Sequence, residues 1–309
     1  MSSTPPPYAL DSGGHATWAF EEGDAIAPGR TILRHLGGGN RYEVYLVWDD
    51  RLFAVMVAKV VRPDQAQDPH ALRELRKELE ALERLAHPVL VRGFGGVLDG
   101  PYPHVLIEHL EGPTLRSLLR RGGPLPDAQL LPLALHVAAA LHYMSQEGMV
   151  HLDVKPDNIV MGVPPRLIDL SVARTFERAE RVAGLVGTDA YMAPEQCDVD
   201  RFAGTIGPPA DVWGLGATLF HAIAGSVPFP RDKDARQSED LHVRFPQLIE
   251  PPVELPEGVP LALRELIDAT LAFDPANRPT AAQVAVGLEP LVAALPRKMI
   301  LGRRGIINR

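Results

Sequence analysis

His151-Leu152-Asp153-Val154-Lys155-Pro156-Asp157-Asn158 sets an acid, a cation and a carboxamide at spacings that suit phosphoryl transfer, in which a hydroxyl loses its proton while charge builds on a phosphate. A polar loop between two helices would also produce such a string. The surrounding chain decides between the two.

The chain has 309 residues, 46% hydrophobic and 23% charged, which is the make-up of a soluble globular protein with either one large domain or two modest ones. No apolar run reaches the ~18 residues of a membrane span. The longest, around 130–144, is interrupted by Pro132, His136 and His142. The opening residues have neither the basic end nor the apolar segment of a secretory signal, so a cytoplasmic location and no membrane span are expected. Cys197 is the single cysteine, which excludes an internal disulfide and a Cys-based metal cage; a packed thiol is expected there. The net charge of −8 argues against nucleic acid as a partner of the whole chain.

Residues 1–29 are rich in Pro, Gly, Ser and acids without periodicity and read as a mobile lead-in. Short β-type runs follow at 31–36, 43–49 and 53–61, which predict an antiparallel sheet. Asp68-Pro69 then opens a helix carried by Leu72, Leu75, Leu79, Leu82 and Leu85 and stopped by His87-Pro88. Two more strand-like runs, 89–98 and 104–109, lead to Glu111-Gly112-Pro113, beyond which helical patterns dominate. A lobe boundary is therefore placed at 109–113. The last stretch, 293–309, holds Arg297, Lys298, Arg303, Arg304 and Arg309 without an acid and reads as a basic tail. A regulatory partner could act through the lead-in or this tail.

Two further segments carry chemistry. Leu36-Gly37-Gly38-Gly39-Asn40-Arg41-Tyr42-Glu43-Val44 lies between the first two strands, where glycines let backbone N–H groups approach a phosphate chain. Lys59 ends Met56-Val57-Ala58-Lys59 inside an apolar strand, where an unpaired ammonium would be costly to bury, so it needs an anion.

These segments together resemble the eukaryotic-type Ser/Thr protein kinases, over roughly residues 30–290 and in the family's order. The catalytic-loop octapeptide has Leu152 where the family usually has Arg. Gly37 and Gly39 match the first two glycines of G-x-G-x-x-G-x-V, with Tyr42 in place of the third. Leu167-Ile168-Asp169-Leu170-Ser171 resembles the metal-binding D-F-G segment, and Gly187-Thr188-Asp189-Ala190-Tyr191-Met192-Ala193-Pro194-Glu195 the G-T-x-x-Y-x-A-P-E end of the activation segment. Asp211-Val212-Trp213-Gly214-Leu215-Gly216 resembles the D-x-W-S-x-G helix.

The resemblance implies an α+β, bilobal protein-kinase-like fold: a small antiparallel β-sheet N-lobe with one main helix (30–108), a hinge (109–113) and a larger, mainly α C-lobe (114–292). It implies ATP and Mg2+, or Mn2+ in its place, and a protein substrate with a Ser or Thr acceptor. Asp153 would accept the hydroxyl proton, Lys155 neutralise the γ-phosphate, and Asn158 and Asp169 hold the metal. Lys59 would contact the α- and β-phosphates and pair with Glu78, while Glu74, Glu80 and Glu83 are expected to be solvated. Thr188 would bond between Asp153 and Lys155. Leu36, Gly37, Gly38 and Gly39 would cover the phosphates. Ile107 and the backbone from Glu108 to Leu110 would meet the adenine, with Val44, Val57 and Val160 as apolar walls. Asp157 could favour a basic residue near the acceptor. Glu195 would pair with Arg278, and Asp211 would hold the catalytic-loop backbone.

Leu152 cannot pair with an activation-segment phosphate, and Ser171 and Thr175 are the only hydroxyl residues between Asp169 and Gly187. Activity independent of activation-loop phosphorylation is expected. Two alternatives are a nucleotide-binding pseudokinase scaffold, prompted by Tyr42, Leu152 and Ser171, and a small-molecule kinase, which the Ala193-Pro194-Glu195 segment disfavours.

Overall fold

A computed structural model describes residues 8–232 and 234–296, which divide into two compact units. One runs to Ala86 and takes in Val91–Glu111; the other comprises His87–Leu90 and the chain from Gly112. The change of unit after Glu111 falls inside the stretch read as a hinge.

In the first unit, β1 (Ala9–Leu10) and β2 (Ala16–Thr17) form a small hairpin. Strands β3 (Ala25–Ala27), β4 (Arg30–Gly38), β5 (Tyr42–Asp49), β6 (Ala54–Val61), β7 (Gly93–Val97) and β8 (His104–Glu108) build one antiparallel sheet in the order β3-β4-β5-β6-β8-β7. The alternating pattern of β5 has a direct structural counterpart, since Glu43, Tyr45, Val47 and Asp49 are buried and the residues between them are not. Helix α1 (Pro69–Arg84) starts where the Asp68 carboxylate accepts the His70 and Ala71 N–H groups at 3.0 and 3.3 Å, with Pro69 at a position that needs no donor. It buries Leu75 and Leu82, each worth roughly 1.5–3 kcal/mol.

Two expectations fail here. Glu74 is not a solvated charge: it lies on the buried face of α1, one turn before Glu78, with Lys77 Nζ 2.6 Å away. Nor are residues 8–29 a loose lead-in. Trp18 and Phe20 stack with ring centres 6.0 Å apart, meet Tyr102 edge-on, and cover the core formed by Ile26, Tyr45, Val47, Met56 and Leu106. Two aromatic side chains inserted from an irregular segment leave no periodic trace, so composition concealed them. Residues 1–7 and the basic tail from 297 onward lie outside the described residues.

The second unit is mainly helical. Helices α2 (Leu115–Gly122) and α3 (Asp127–Gln146) are followed by the short strands β9 (Met149–Val150), β10 (Ile159–Val160), β11 (Arg166–Leu167) and β12 (Arg174–Thr175). Then come α4 (Phe176–Glu180), α5 (Pro194–Cys197), α6 (Pro208–Ala224), α7 (Leu241–Arg244), α8 (Leu261–Thr270) and α9 (Ala281–Ala293). Helix α6 is buried along nearly its whole length and packs on α3 and α8, which makes it the core of this unit. The apolar run in α3 is a core face against α6 and α9, and no helix among the described residues is long and apolar enough to cross a membrane. Strand β9 pairs with β12 and β10 with β11, so the loops bearing Asp153 and Asp169 are framed by the same two ladders.

Candidate active site

The first unit brings four of the expected residues onto one face of its sheet. Directly opposed residues on paired strands share a face, as do residues two apart on one strand. Val44 opposes Lys59, and Val57 opposes Ile107, so Val44, Val57, Lys59 and Ile107 line the same side. Helix α1 supplies the anion for the lysine: Lys59 Nζ and Glu78 Oε1 are 2.6 Å apart, with the Glu78 side chain 2% exposed. The Glu108 N–H is already committed to the Arg92 carbonyl at 3.0 Å, and its carboxylate takes the Arg92 guanidinium; Leu110 follows the end of β8. Leu36 is exposed, and Gly37, Gly38 and Gly39 form the end of β4 and the turn into β5.

Tyr42 has a more specific place than its sequence position suggested. The centre of its ring is 5.1 Å from Lys59 Nζ, and its Oη is buried without a hydrogen-bond partner among the described residues. Burial, and next the Glu78 charge, push the phenol pKa up, so it stays protonated.

In the second unit Asp153, Lys155 and Thr188 close a triangle. Thr188 Oγ1 donates to Asp153 Oδ1 at 2.8 Å and accepts from Lys155 Nζ at 2.6 Å, and Lys155 Nζ is 2.6 Å from Asp153 Oδ2. Asn158 Nδ2 donates to the Asp153 backbone oxygen and to Oδ2, at 2.9 and 3.1 Å. Asp169 lies in the neighbouring loop, tied in by the Ile168 N–H to the Asn158 carbonyl at 2.8 Å. A carboxylate and a carboxamide are hard oxygen donors of the kind that bind Mg2+ together with phosphate oxygens, so this donor set fits the ion. Among the described residues no cluster of three His, Cys, Asp or Glu side chains could hold a metal unaided. Val160 is buried on β10.

Leu152 and Asp169, with φ of 63° and 67°, hold a left-handed backbone that non-glycine residues rarely adopt, at a cost of about 1–3 kcal/mol each. The surroundings over-determine Leu152. Asp211, fully buried, accepts the His151 and Leu152 N–H groups at 2.7 Å each, and Gln196 Nε2 donates to the Leu152 carbonyl at 3.0 Å and to Val186 O at 2.9 Å. Burial raises the Asp211 pKa even though both bonds pull it down. His151 Nδ1 accepts the Asp153 N–H, so its Nε2 carries the proton and donates to Ile168 O at 3.2 Å. Gly187 is required by contact as well as conformation: its φ is 115°, and a Cβ there would sit 2.8 Å from Leu152 O.

The sequence reading missed a second anchor of the activation segment. The Asp189 carboxylate meets Arg231 Nη2 at 3.0 Å and Arg244 Nε and Nη2 at 3.1 and 3.3 Å, while Gln247 Nε2 holds the Asp189 carbonyl at 2.8 Å. Burial works to raise the Asp189 pKa, but the bonds from Arg244 and Arg231 prevail and hold it below the usual carboxylate range. These contacts join residues over forty positions apart, and no spacing rule foretells them. Gln196 and His151 act the same way, through side-chain reach. A cavity of about 570 Å³ opens beside Thr188, Ala190 and Phe229, and Asp157 and Arg116, an ion pair at 3.6 Å, are part of its lining.

A sequence model of the protein kinase domain matches residues 30–286. Among curated proteins, the chain is 32% identical over 263 residues to "Serine/threonine-protein kinase PknB" of Mycobacterium leprae (strain TN), covering 82% of this chain and 41% of that protein. It is 34% identical over 268 residues to "Probable serine/threonine-protein kinase PkwA" of Thermomonospora curvata, covering 85% and 34%, and 30% identical over 256 residues to "Serine/threonine-protein kinase PknA" of Mycobacterium tuberculosis (strain ATCC 25177 / H37Ra), covering 80% and 57%. The chain thus spans about two fifths of the length of PknB.

Proposed function

Because the chain belongs to the protein kinase family, we propose that it is an ATP- and Mg2+-dependent Ser/Thr protein kinase. The observation that carries this reading is the closed triangle of Asp153, Lys155 and Thr188. Asp153 Oδ1, now accepting from Thr188, is the base for the acceptor hydroxyl, and the Lys155 ammonium offsets charge on the transferred phosphoryl group. Lys59, oriented by Glu78, binds the earlier phosphates. Asn158 and Asp169 would hold the metal, which when bound neutralises phosphate charge. The acceptor segment lies in the cavity beside Thr188. Arg116 already faces Asp157, which weakens the case for Asp157 as the selector of a basic residue.

The test is transfer of labelled phosphate from ATP with Mg2+ to a general protein acceptor. Loss of all transfer while nucleotide still binds would defeat the reading.

Independence from activation-loop phosphorylation is part of the same proposal. Leu152 offers no phosphate ligand, and Asp189, held by two arginines, supplies a permanent anion in the segment. Phosphatase-treated protein is expected to keep its activity. Asp189→Asn should raise the KM for the protein acceptor about tenfold, the scale of hydrogen bonds to a charged group. Inert dephosphorylated protein, revived by autophosphorylation within 172–188, would refute the idea.

Tyr42 favours a second reading, a nucleotide-binding pseudokinase, because its ring stands beside the lysine that must receive phosphate. For an active kinase, Tyr42→Gly should lower the KM for ATP roughly three- to tenfold, the strength of a cation–π contact, and leave kcat alone. Wild-type protein that transfers nothing, beside a Tyr42→Gly variant that does, would establish the second reading instead.

A further inference from the structure

The hairpin β1–β2 precedes the region matched to the kinase domain, yet it is joined to the glycine-rich turn by a buried cation. Arg62, 2% exposed, donates from Nε to the Gly39 carbonyl at 2.6 Å, from Nη1 to the Ala16 carbonyl at 2.7 Å and from Nη2 to Asp11 Oδ2 at 2.8 Å. Its backbone N–H adds a bond to Arg41 O at 2.9 Å. Glu43, just past the turn and 1% exposed, accepts the Thr17 hydroxyl at 2.5 Å and the Trp18 N–H at 3.0 Å. Trp18 Nε1 in turn donates to Val61 O, beside Arg62, at 2.8 Å. The turn itself is tight: Gly39 N–H bonds Tyr42 O at 3.0 Å, and a Cβ on Gly38 would lie 2.4 Å from that same oxygen.

From this geometry we propose that Arg62, braced by the Asp11–Thr17 hairpin, is a positioning residue for the glycine-rich turn, so that affinity for the nucleotide triphosphate depends on residues outside the kinase domain proper. This rests on the kinase reading above. Three glycines in succession lose much conformational freedom when ordered, and a turn ordered during folding does not meet that cost again on binding. Arg62 does this without touching nucleotide. A guanidinium suits the task because its planar fork serves three acceptors at once, which an ammonium on a flexible stem would do less rigidly. At the far end the brace stays charged: the His15 N–H, and after an opposing effect of burial the Arg62 guanidinium, hold the Asp11 carboxyl down at about 2.

The experiment compares wild type with Asp11→Asn, Asp11→Glu and Arg62→Met. It reads the dissociation constant for a non-hydrolysable ATP analogue with Mg2+, kcat at saturating ATP, and amide hydrogen exchange across residues 37–42. Arg62→Met is expected to weaken the analogue about tenfold or more and Asp11→Asn about fivefold, with faster exchange in the turn and kcat unchanged for Asp11→Asn. Asp11→Glu, which keeps the charge, should recover most of the affinity. If Arg62→Met fails to fold, the partly exposed Asp11 site carries the test. Turn exchange and affinity that both match wild type in Asp11→Asn would overturn the proposal, as would faster exchange at unaltered affinity. A wild-type protein that binds no analogue would instead sink the kinase reading, and unaltered exchange in the turn would then overturn the brace by itself.

Discussion

Asp153→Asn protein is expected to bind nucleotide as wild type does and to transfer phosphate about 10²–10⁴-fold more slowly, the range associated with a positioned general base. Both carboxylate oxygens are in use: Oδ1 receives the Thr188 hydroxyl, and Oδ2 receives Lys155 and Asn158. A carboxamide has one acceptor oxygen and an NH2 group in place of the other. If its oxygen faces Lys155, the amide nitrogen meets Thr188, whose hydroxyl must turn round. If it faces Thr188, the amide points donors at an ammonium. Neither orientation restores the triangle, and neither can take up a proton. The loss should therefore fall on kcat, with the KM for ATP little changed, since Lys59 and Glu78 are untouched. A rate within about tenfold of wild type would show that Asp153 is not the base.

Removal of Arg278 should give the largest loss of stability, about 3–5 kcal/mol in chemical denaturation, because it strands the Glu195 carboxylate in a site where both side chains are 0% exposed. All five guanidinium N–H donors are used. Two reach Glu195 at 2.6 and 2.8 Å, and the others reach the carbonyls of Pro209, Ala272 and Phe273 at 3.0, 2.8 and 3.1 Å. The guanidinium also lies 4.9 Å from the centre of the Trp213 ring on α6. Arg278→Lys should fail almost as badly as Arg278→Ala, for an ammonium has three donors where five acceptor contacts wait. Replacing both partners, Glu195→Leu with Arg278→Met, should recover only the part of the loss that comes from the stranded charge, because the carbonyls of Pro209, Ala272 and Phe273 still lose their donor. A single Arg278→Ala variant within about 1 kcal/mol of wild type would contradict this account of the pair.

Periodicity and punctuation made much of the fold legible. The β-type run at 43–49, the Asp68-Pro69 start of α1 and the helical patterns beyond residue 113 each follow from the physics of burial and capping, and each was visible in residue order. Lys59, Asp153 and Asp169 could be singled out because the chain keeps the motifs of the protein kinase family in the family's order. What stayed hidden depends on side-chain reach between distant segments. Asp189 meets Arg231 and Arg244, Arg62 meets Asp11 and Ala16, and Gln196 meets Leu152, with no pattern in the intervening residues to announce it. Composition misled most at 8–29, where glycines and acids outnumber the aromatic residues that fasten the segment down.

The left-handed backbone at Leu152 points to when the site meets its energetic cost. In water, a carboxylate, an ammonium and a hydroxyl would have to gather, shed solvent and turn their dipoles each time a reaction occurred. Here Asp211 and Gln196 hold the unfavourable conformation that aims the next residue, Asp153, at Thr188 and Lys155. In the proposed kinase the reorganisation is completed once, when the polypeptide folds, and every later turnover would begin from a solvent cage made of protein that is already oriented.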